Sequence, residues 1–135
     1  MQRLRWLIAG AAALALGCKS SSATASSGGP PPGATTVNIQ DFSFSPDTVT
    51  IAAGKTVYWT NKGPSAHTTV SDAGLWNSGT LNAPSSSGGN GYSVTDRAAG
   101  GSFTVTFNTA GTFTYHCSIH PPSLYPHFVG TIIVH

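Results

Sequence analysis

From Val37 onward, hydrophobic and polar residues alternate with a period of two, and no stretch carries helical spacing. Val49 and Ile51 alternate with Thr48 and Thr50, and Phe42 and Phe44 are expected to share one face. Ala53-Gly54 signals a turn. Thr56-Val57-Tyr58-Trp59-Thr60 is rich in β-branched and aromatic residues, and Asn61-Lys62-Gly63-Pro64 ends it. His67 to Val70 reads as a short extended piece. Phe103, Val105 and Phe107 share a face, and Asn108 to Gly111 turns the chain back. Phe113, Tyr115 and Cys117 then point inward while Thr112, Thr114 and His116 point out; Gly130 to Val134 is the closing strand. Seven to eight short strands with turns between them predict an all-β fold, a Greek-key β-sandwich. Asn82 to Gly101 interrupts the pattern with a polar loop around Ser85-Ser86-Ser87-Gly88-Gly89-Asn90-Gly91 that is expected to be mobile.

The N-terminal third follows different rules. Arg3 and Arg5 precede an apolar run of 11 residues, Trp6 to Leu16. That is too short for a membrane-spanning helix of about 20 residues. Residues 1–17 therefore read as a secretory signal peptide. Ala15-Leu16-Gly17-Cys18 resembles a bacterial lipobox, which implies that Cys18 is lipidated and becomes the new N-terminus; ordinary cleavage near Gly17 is the alternative. Residues 18–36, rich in Ser, Gly, Pro and Ala, cannot bury enough apolar surface to fold and read as a linker. As a flexible coil this linker spans roughly 25 Å. Residues 37–135 form the expected folded head, enough for one small core. Exported, the head is expected in the periplasm or on the cell surface as a monomer held by its lipid. Lys19, in place of an acidic residue after Cys18, favours outer-membrane anchoring by resemblance to known sorting rules.

Charge narrows the function. The chain's net +2 arises in the leader and linker; the head carries Lys55, Lys62 and Arg97 against Asp41, Asp47, Asp72 and Asp96. A nearly neutral head offers no basic patch for nucleic acid and no acidic field to steer a cationic partner. Its four carboxylates fall in no recognisable acid–base pair, and no serine sits in a nucleophile elbow. An enzyme is not expected.

Cys117 is the only thiol in the head, so a disulfide within it is excluded. Taken singly, a core cysteine and two loop or edge histidines are bland. Together, Cys117, His120 three residues later and the remote His67 supply one thiolate and two imidazoles, the donor set of a blue-copper electron-transfer site. Zinc is a weaker rival, since structural zinc normally takes four ligands.

From Asp41 to Val134 the chain resembles the cupredoxins of the plastocyanin and amicyanin type. The resemblance rests on Phe42-Ser43-Phe44-Ser45-Pro46, Val57-Tyr58-Trp59-Thr60-Asn61, Ala66-His67-Thr68-Thr69-Val70, Ser78-Gly79-Thr80-Leu81 and the block from Phe107-Asn108-Thr109-Ala110-Gly111 to Cys117-Ser118-Ile119-His120. It implies one type 1 copper ion held by His67, Cys117 and His120, cycling between Cu(I) and Cu(II) and exchanging electrons with transient redox partners. His116 matches the amicyanin Tyr-His-Cys sequence but faces outward on the strand pattern and is not counted as a ligand. The family's axial methionine is missing, because the only methionine is Met1. Register against Gly130 puts Phe128 in its place. Either Phe128 packs over an axially empty centre of high potential, or the long Pro121–His127 loop brings His127 to the metal as a strong fourth donor and lowers the potential. Pro121, Pro122, Leu124 and Tyr125 are expected around the exposed edge of His120, as an electron-exchange surface or as simple loop packing. A copper-delivery protein, a catalytic copper site of the nitrosocyanin type and a metal-free interaction module are the remaining rivals.

Overall fold

The computed structural model describes residues 29–85 and 100–135. The expected signal peptide, Cys18, most of the expected linker and residues 86–99 of the polar loop lie outside the described residues. Among the described residues there are eight strands and no helix: β1 Thr35–Gln40, β2 Ser43–Ser45, β3 Thr48–Ile51, β4 Lys55–Asn61, β5 Val70–Ser71, β6 Ser102–Phe107, β7 Gly111–His116 and β8 Val129–Val134. They form two four-stranded sheets, ordered β2-β1-β4-β6 and β3-β8-β7-β5. The β1–β4 and β3–β8 pairs are parallel and the others antiparallel. The all-β sandwich expected from the alternation is the observed architecture.

The alternation works where a strand has one covered face. In β3, Val49 and Ile51 are buried while Thr48 and Thr50 are exposed. It fails in β4, where Val57 to Asn61 are all buried and both faces of the strand are covered. Across the sandwich, Trp59 of β4 meets Tyr115 of β7 edge to face, with ring centroids 5.5 Å apart at 83°. Phe44 of β2 packs on the same tyrosine at 4.7 Å. Pairs of this kind add about 0.5–1.5 kcal/mol each beyond the area they bury.

Two expectations need correction. Phe42 does not share the inward face of Phe44. It lies between β1 and β2 with φ 66°, turned out of the strand pattern and 39 % exposed. Parity along a strand says nothing about a residue in the left-handed region, because the turn resets the direction of its side chain. Thr35 and Thr36, which composition assigns to the linker, belong to β1, since their backbone pairs with Val57 and Tyr58.

Gly130 shows how tightly β8 sits under the strand that ends at Cys117. It pairs with Tyr115, and a Cβ there would lie 2.2 Å from Tyr115 Cζ. Tyr115 is fully buried and cannot swing aside. Gly130→Ala is therefore expected to destabilise the protein by about 1–3 kcal/mol, the usual cost of overpacking, read from the shift of a urea unfolding curve.

Candidate metal centre

Cys117 follows β7 directly, and the chain turns at once to bring His120 back beside it, with Sγ 3.9 Å from His120 Nδ1. His67 arrives from the segment between β4 and β5. One ligating atom from each of the three residues lies within 4.8 Å of the others. Cys117 and His67 are buried and His120 is half-buried. The sequence singled out these three residues, and the fold brings them to one end of the sandwich. His116 projects away on the outer side of β7, where its Nδ1 meets the Asp72 carboxylate. His127 is exposed and stands outside the group.

Backbone and side-chain hydrogen bonds fix His67. Its N–H donates to Leu81 O at 3.1 Å and its carbonyl accepts from Leu81 N at 2.8 Å. Asn61, wholly buried at the end of β4, donates both amide hydrogens, to Ser65 O at 2.8 Å and Leu81 O at 2.9 Å. Its oxygen accepts from Gly63 N at 2.9 Å. A buried amide with these partners pins the loop leading into His67.

The sulfur has its own donor. Thr68 N–H points at Cys117 Sγ from 3.4 Å, and the Thr68 hydroxyl lies 3.6 Å away. That hydroxyl also accepts from Ser118 N at 2.8 Å. Thr68 thus ties the His67 segment to the Cys117 turn.

Charge and tautomer at His67 follow from Asp41. His67 Nε2 lies 2.9 Å from Asp41 Oδ1. Burial pushes the Asp41 carboxyl up, but hydrogen bonds from His67 and Ser65 outweigh it and hold it below its ordinary value. Burial lowers the His67 pKa, and its hydrogen bond to Asp41 and that residue's charge offset this only in part. At neutral pH the pair is a carboxylate and a neutral imidazole. The carboxylate can only accept, so Nε2 carries the proton. Nδ1 is left as a bare lone pair, buried and without any hydrogen-bond partner. An orphaned imidazole nitrogen beside a thiol and a second imidazole fits a metal ion, and one sulfur with two imidazole nitrogens suits copper.

Aromatic rings close the site. Phe128 is fully buried, its ring perpendicular to that of His67 at 5.0 Å and 6.3 Å from that of His120. Phe42 stacks on Tyr125 at 4.3 Å, and both meet the edge of His120, at 5.1 and 5.3 Å. The loop after His120 is folded into turns, with Leu124 and Tyr125 both donating to Pro121 O at 2.9 Å. Leu124 stands 74 % exposed at the tip.

Sequence reasoning missed Asp41, Phe42, Asn61 and Thr68 as parts of the site. Asn61 left a trace, as an amide closing a strand rich in β-branched and aromatic residues. Asp41 and Phe42 left none, because they reach the centre from a remote segment, and Thr68, though it follows His67 directly, gives no sign in the sequence that it meets Cys117.

Comparison with known proteins agrees with this geometry. Residues 32–135 match the family of copper binding proteins of the plastocyanin/azurin type. A plastocyanin of Scenedesmus fuscus is 37 % identical over 79 residues, covering 57 % of this chain and 74 % of the relative. Among solved structures, a purple cupredoxin from Nitrosopumilus maritimus superposes with a TM-score of 0.54 at 25 % identity, covering 75 % of this chain and 99 % of that one. A reduced amicyanin variant gives a TM-score of 0.55 at 24 % identity over 87 % of this chain and 95 % of its own, a likeness of fold. The chain belongs to the copper-binding plastocyanin/azurin family, whose cofactor is one copper ion, and its His67, Cys117 and His120 group is placed to hold a metal ion.

The protonation states give a pH dependence. His67 has a folded-state pKa below its ordinary 6.5, so the unfolded chain takes up its proton first as pH falls. Its contribution to stability is whole above 6.5 and is lost as pH falls toward the folded value. Asp41 and Asp72, both held below 3.8, keep their contribution above that value and lose it at stronger acidity. The melting temperature of the copper-free protein is expected to start falling on the acid side of 6.5, and His67→Gln is expected to remove that first limb.

Proposed function

We propose that this member of the copper-binding plastocyanin/azurin family is a single-electron carrier with a type 1 copper centre, tethered to a membrane by its N-terminus, and not an enzyme. The observation that carries the reading is the meeting of His67, Cys117 and His120, from two remote segments, at one end of a rigid sandwich. In this reading those three residues hold the copper, which supplies a one-electron couple. The sheets and the buried Asn61 keep the donors where they are in both oxidation states. Thr68 stabilises thiolate charge on Cys117 by donating to it. The aromatic walls exclude water.

With copper bound, Phe128 would stand where the family's methionine does and would not coordinate. Its complete burial against the rings of both histidines supports this, as does the exposure of His127. A ring in place of a sulfur donor favours Cu(I) and raises the potential. The half-buried His120, the exposed Leu124 and the Phe42–Tyr125 stack form the end at which electrons cross to transient redox partners. Small apolar contacts suit such short encounters. The apolar leader and the Ala15-Leu16-Gly17-Cys18 sequence support export and lipidation at Cys18, with residues 18–34 as the tether between membrane and head.

The optical and EPR spectra of the Cu(II)-loaded protein test the centre. An intense thiolate-to-copper band with small copper hyperfine splitting is expected, lost in Cys117→Ser and unchanged in His127→Ala. A green or red species with large splitting that His127→Ala converts to the blue form would move the axial assignment to His127. Absence of any thiolate band would end the type 1 reading. For the exchange surface, Leu124→Asp is expected to slow electron self-exchange about tenfold, equivalent to roughly 1.4 kcal/mol, while leaving the spectrum unchanged.

A further inference from the structure

Two consecutive residues of the β1–β2 turn, Asp41 and Phe42, press on different imidazoles of the centre. Phe42 sits in the left-handed region at φ 66°, where a phenylalanine is strained, and its ring lies 5.1 Å from that of His120. Asp41 reaches back to His67. Its Oδ1 accepts from His67 Nε2 at 2.9 Å and from Ser65 N at 3.3 Å, and its Oδ2 accepts from the Ser65 hydroxyl at 2.9 Å.

The surroundings are shaped for that carboxylate. A Cβ on Gly63 would stand 2.6 Å from Asp41 Oδ1 and 2.9 Å from Asp41 N, so any larger residue there would displace the turn. Gly63 itself is held by the Asn61 side chain. The imidazole that Asp41 contacts is wholly buried, while the carboxylate keeps 29 % of its surface in water. Its charge therefore persists beside a ring that has no solvent of its own.

We propose that Asp41 is a positioning residue that fixes His67 as the Nε2–H tautomer, aims its Nδ1 lone pair at the metal, and by its negative charge behind the ring stabilises the more positive, oxidised state of the centre. This rests on the copper reading above. A carboxylate hydrogen-bonded to a ligating imidazole makes the ring a stronger donor and locks its orientation. Its charge acts on Cu(II) more than on Cu(I), since the two states differ by one positive charge. Asp41 thus pulls the potential down, against the upward pull of Phe128.

The test begins without metal. In the copper-free protein at neutral pH, the imidazole nitrogen-15 shifts of His67 are expected to show a single Nε2–H tautomer. In Asp41→Ala the tautomers are expected to mix. With copper added, Asp41→Ala is expected to bind Cu(II) about 10- to 100-fold more weakly. Asp41→Asn keeps the size and one acceptor oxygen but lacks the charge. It is expected to raise the reduction potential with little change in the band position, which a purely structural contact would not do. Ser65→Ala loosens the carboxylate without touching His67, and is expected to speed exchange of the Nε2 proton even if the Asp41 variants fold poorly.

A mixture of tautomers in the wild-type protein would overturn the proposal. So would an Asp41→Asn protein with the wild-type potential. A wild-type protein with a single Nε2–H tautomer, with Cu(II) binding that Asp41→Ala weakens but with no thiolate band, would sink the type 1 reading and leave the role of Asp41 standing.

Discussion

The candidate metal centre depends on the two-residue pairing of β5 with β7, Val70 opposite His116 and Ser71 opposite Tyr115. That pairing sets Thr68 beside Cys117 and so brings the His67 segment to the sulfur. A strand of two residues has little hold by itself. Side chains reinforce it on both flanks. Asp72 N donates to Thr114 O at 3.0 Å, and the Asp72 carboxylate engages His116. Trp76 Nε1 donates to the Thr69 hydroxyl at 3.1 Å, and Thr69 N donates to the Ser78 hydroxyl at 2.9 Å. Each such bond contributes about 1 kcal/mol. Together they let a short pairing hold two candidate ligands from opposite ends of the head in a fixed relation.

On the copper reading, the influences on the centre divide by side. At Cys117, the Thr68 N–H draws charge from the sulfur, and Phe128, packed on both histidine rings, occupies the place of a further donor. Both favour the reduced state. Around His67, the Asp41 carboxylate works the other way. Thr68 and Asp41 act through different candidate ligands, so these two influences can change independently. A substitution at Thr68 acts through the sulfur, and one at Asp41 acts through the imidazole. The potential is then the balance of these opposing terms, with the missing methionine as only one of them.

The strands and the three chemical groups were legible in the sequence because each leaves a local or compositional mark. β3 has a single covered face, so its threonines and aliphatic residues alternate. Cys117 stands out as the one thiol of the head, and His120 follows it at close spacing. The support around the site left no such mark. Asp41 is 26 residues from His67, and Thr68 is 49 from Cys117. In the sequence Asp41 is one of four scattered carboxylates, and Thr68 is one of many threonines in a β protein. Only the fold brings Asp41 to His67 and Thr68, the chain neighbour of His67, to the sulfur of Cys117. Phe42 was misread for a different reason: alternation extends a strand through a residue whose φ ends it.

That φ is also the reason the two ends of the turn act together. A left-handed non-glycine residue costs on the order of 1–3 kcal/mol and persists where its surroundings over-determine it. Glycine would remove the strain, yet it would also remove a ring that stacks on Tyr125 at 4.3 Å and meets His120, His67 and Phe128. Those contacts hold the strained residue in place, and the strained residue holds the turn. The backbone path that throws the Phe42 ring over the half-exposed histidine leaves the preceding carboxylate facing the buried one. Closing His120 and orienting His67 are therefore one conformational event, and a change at either residue of the turn is felt at both imidazoles.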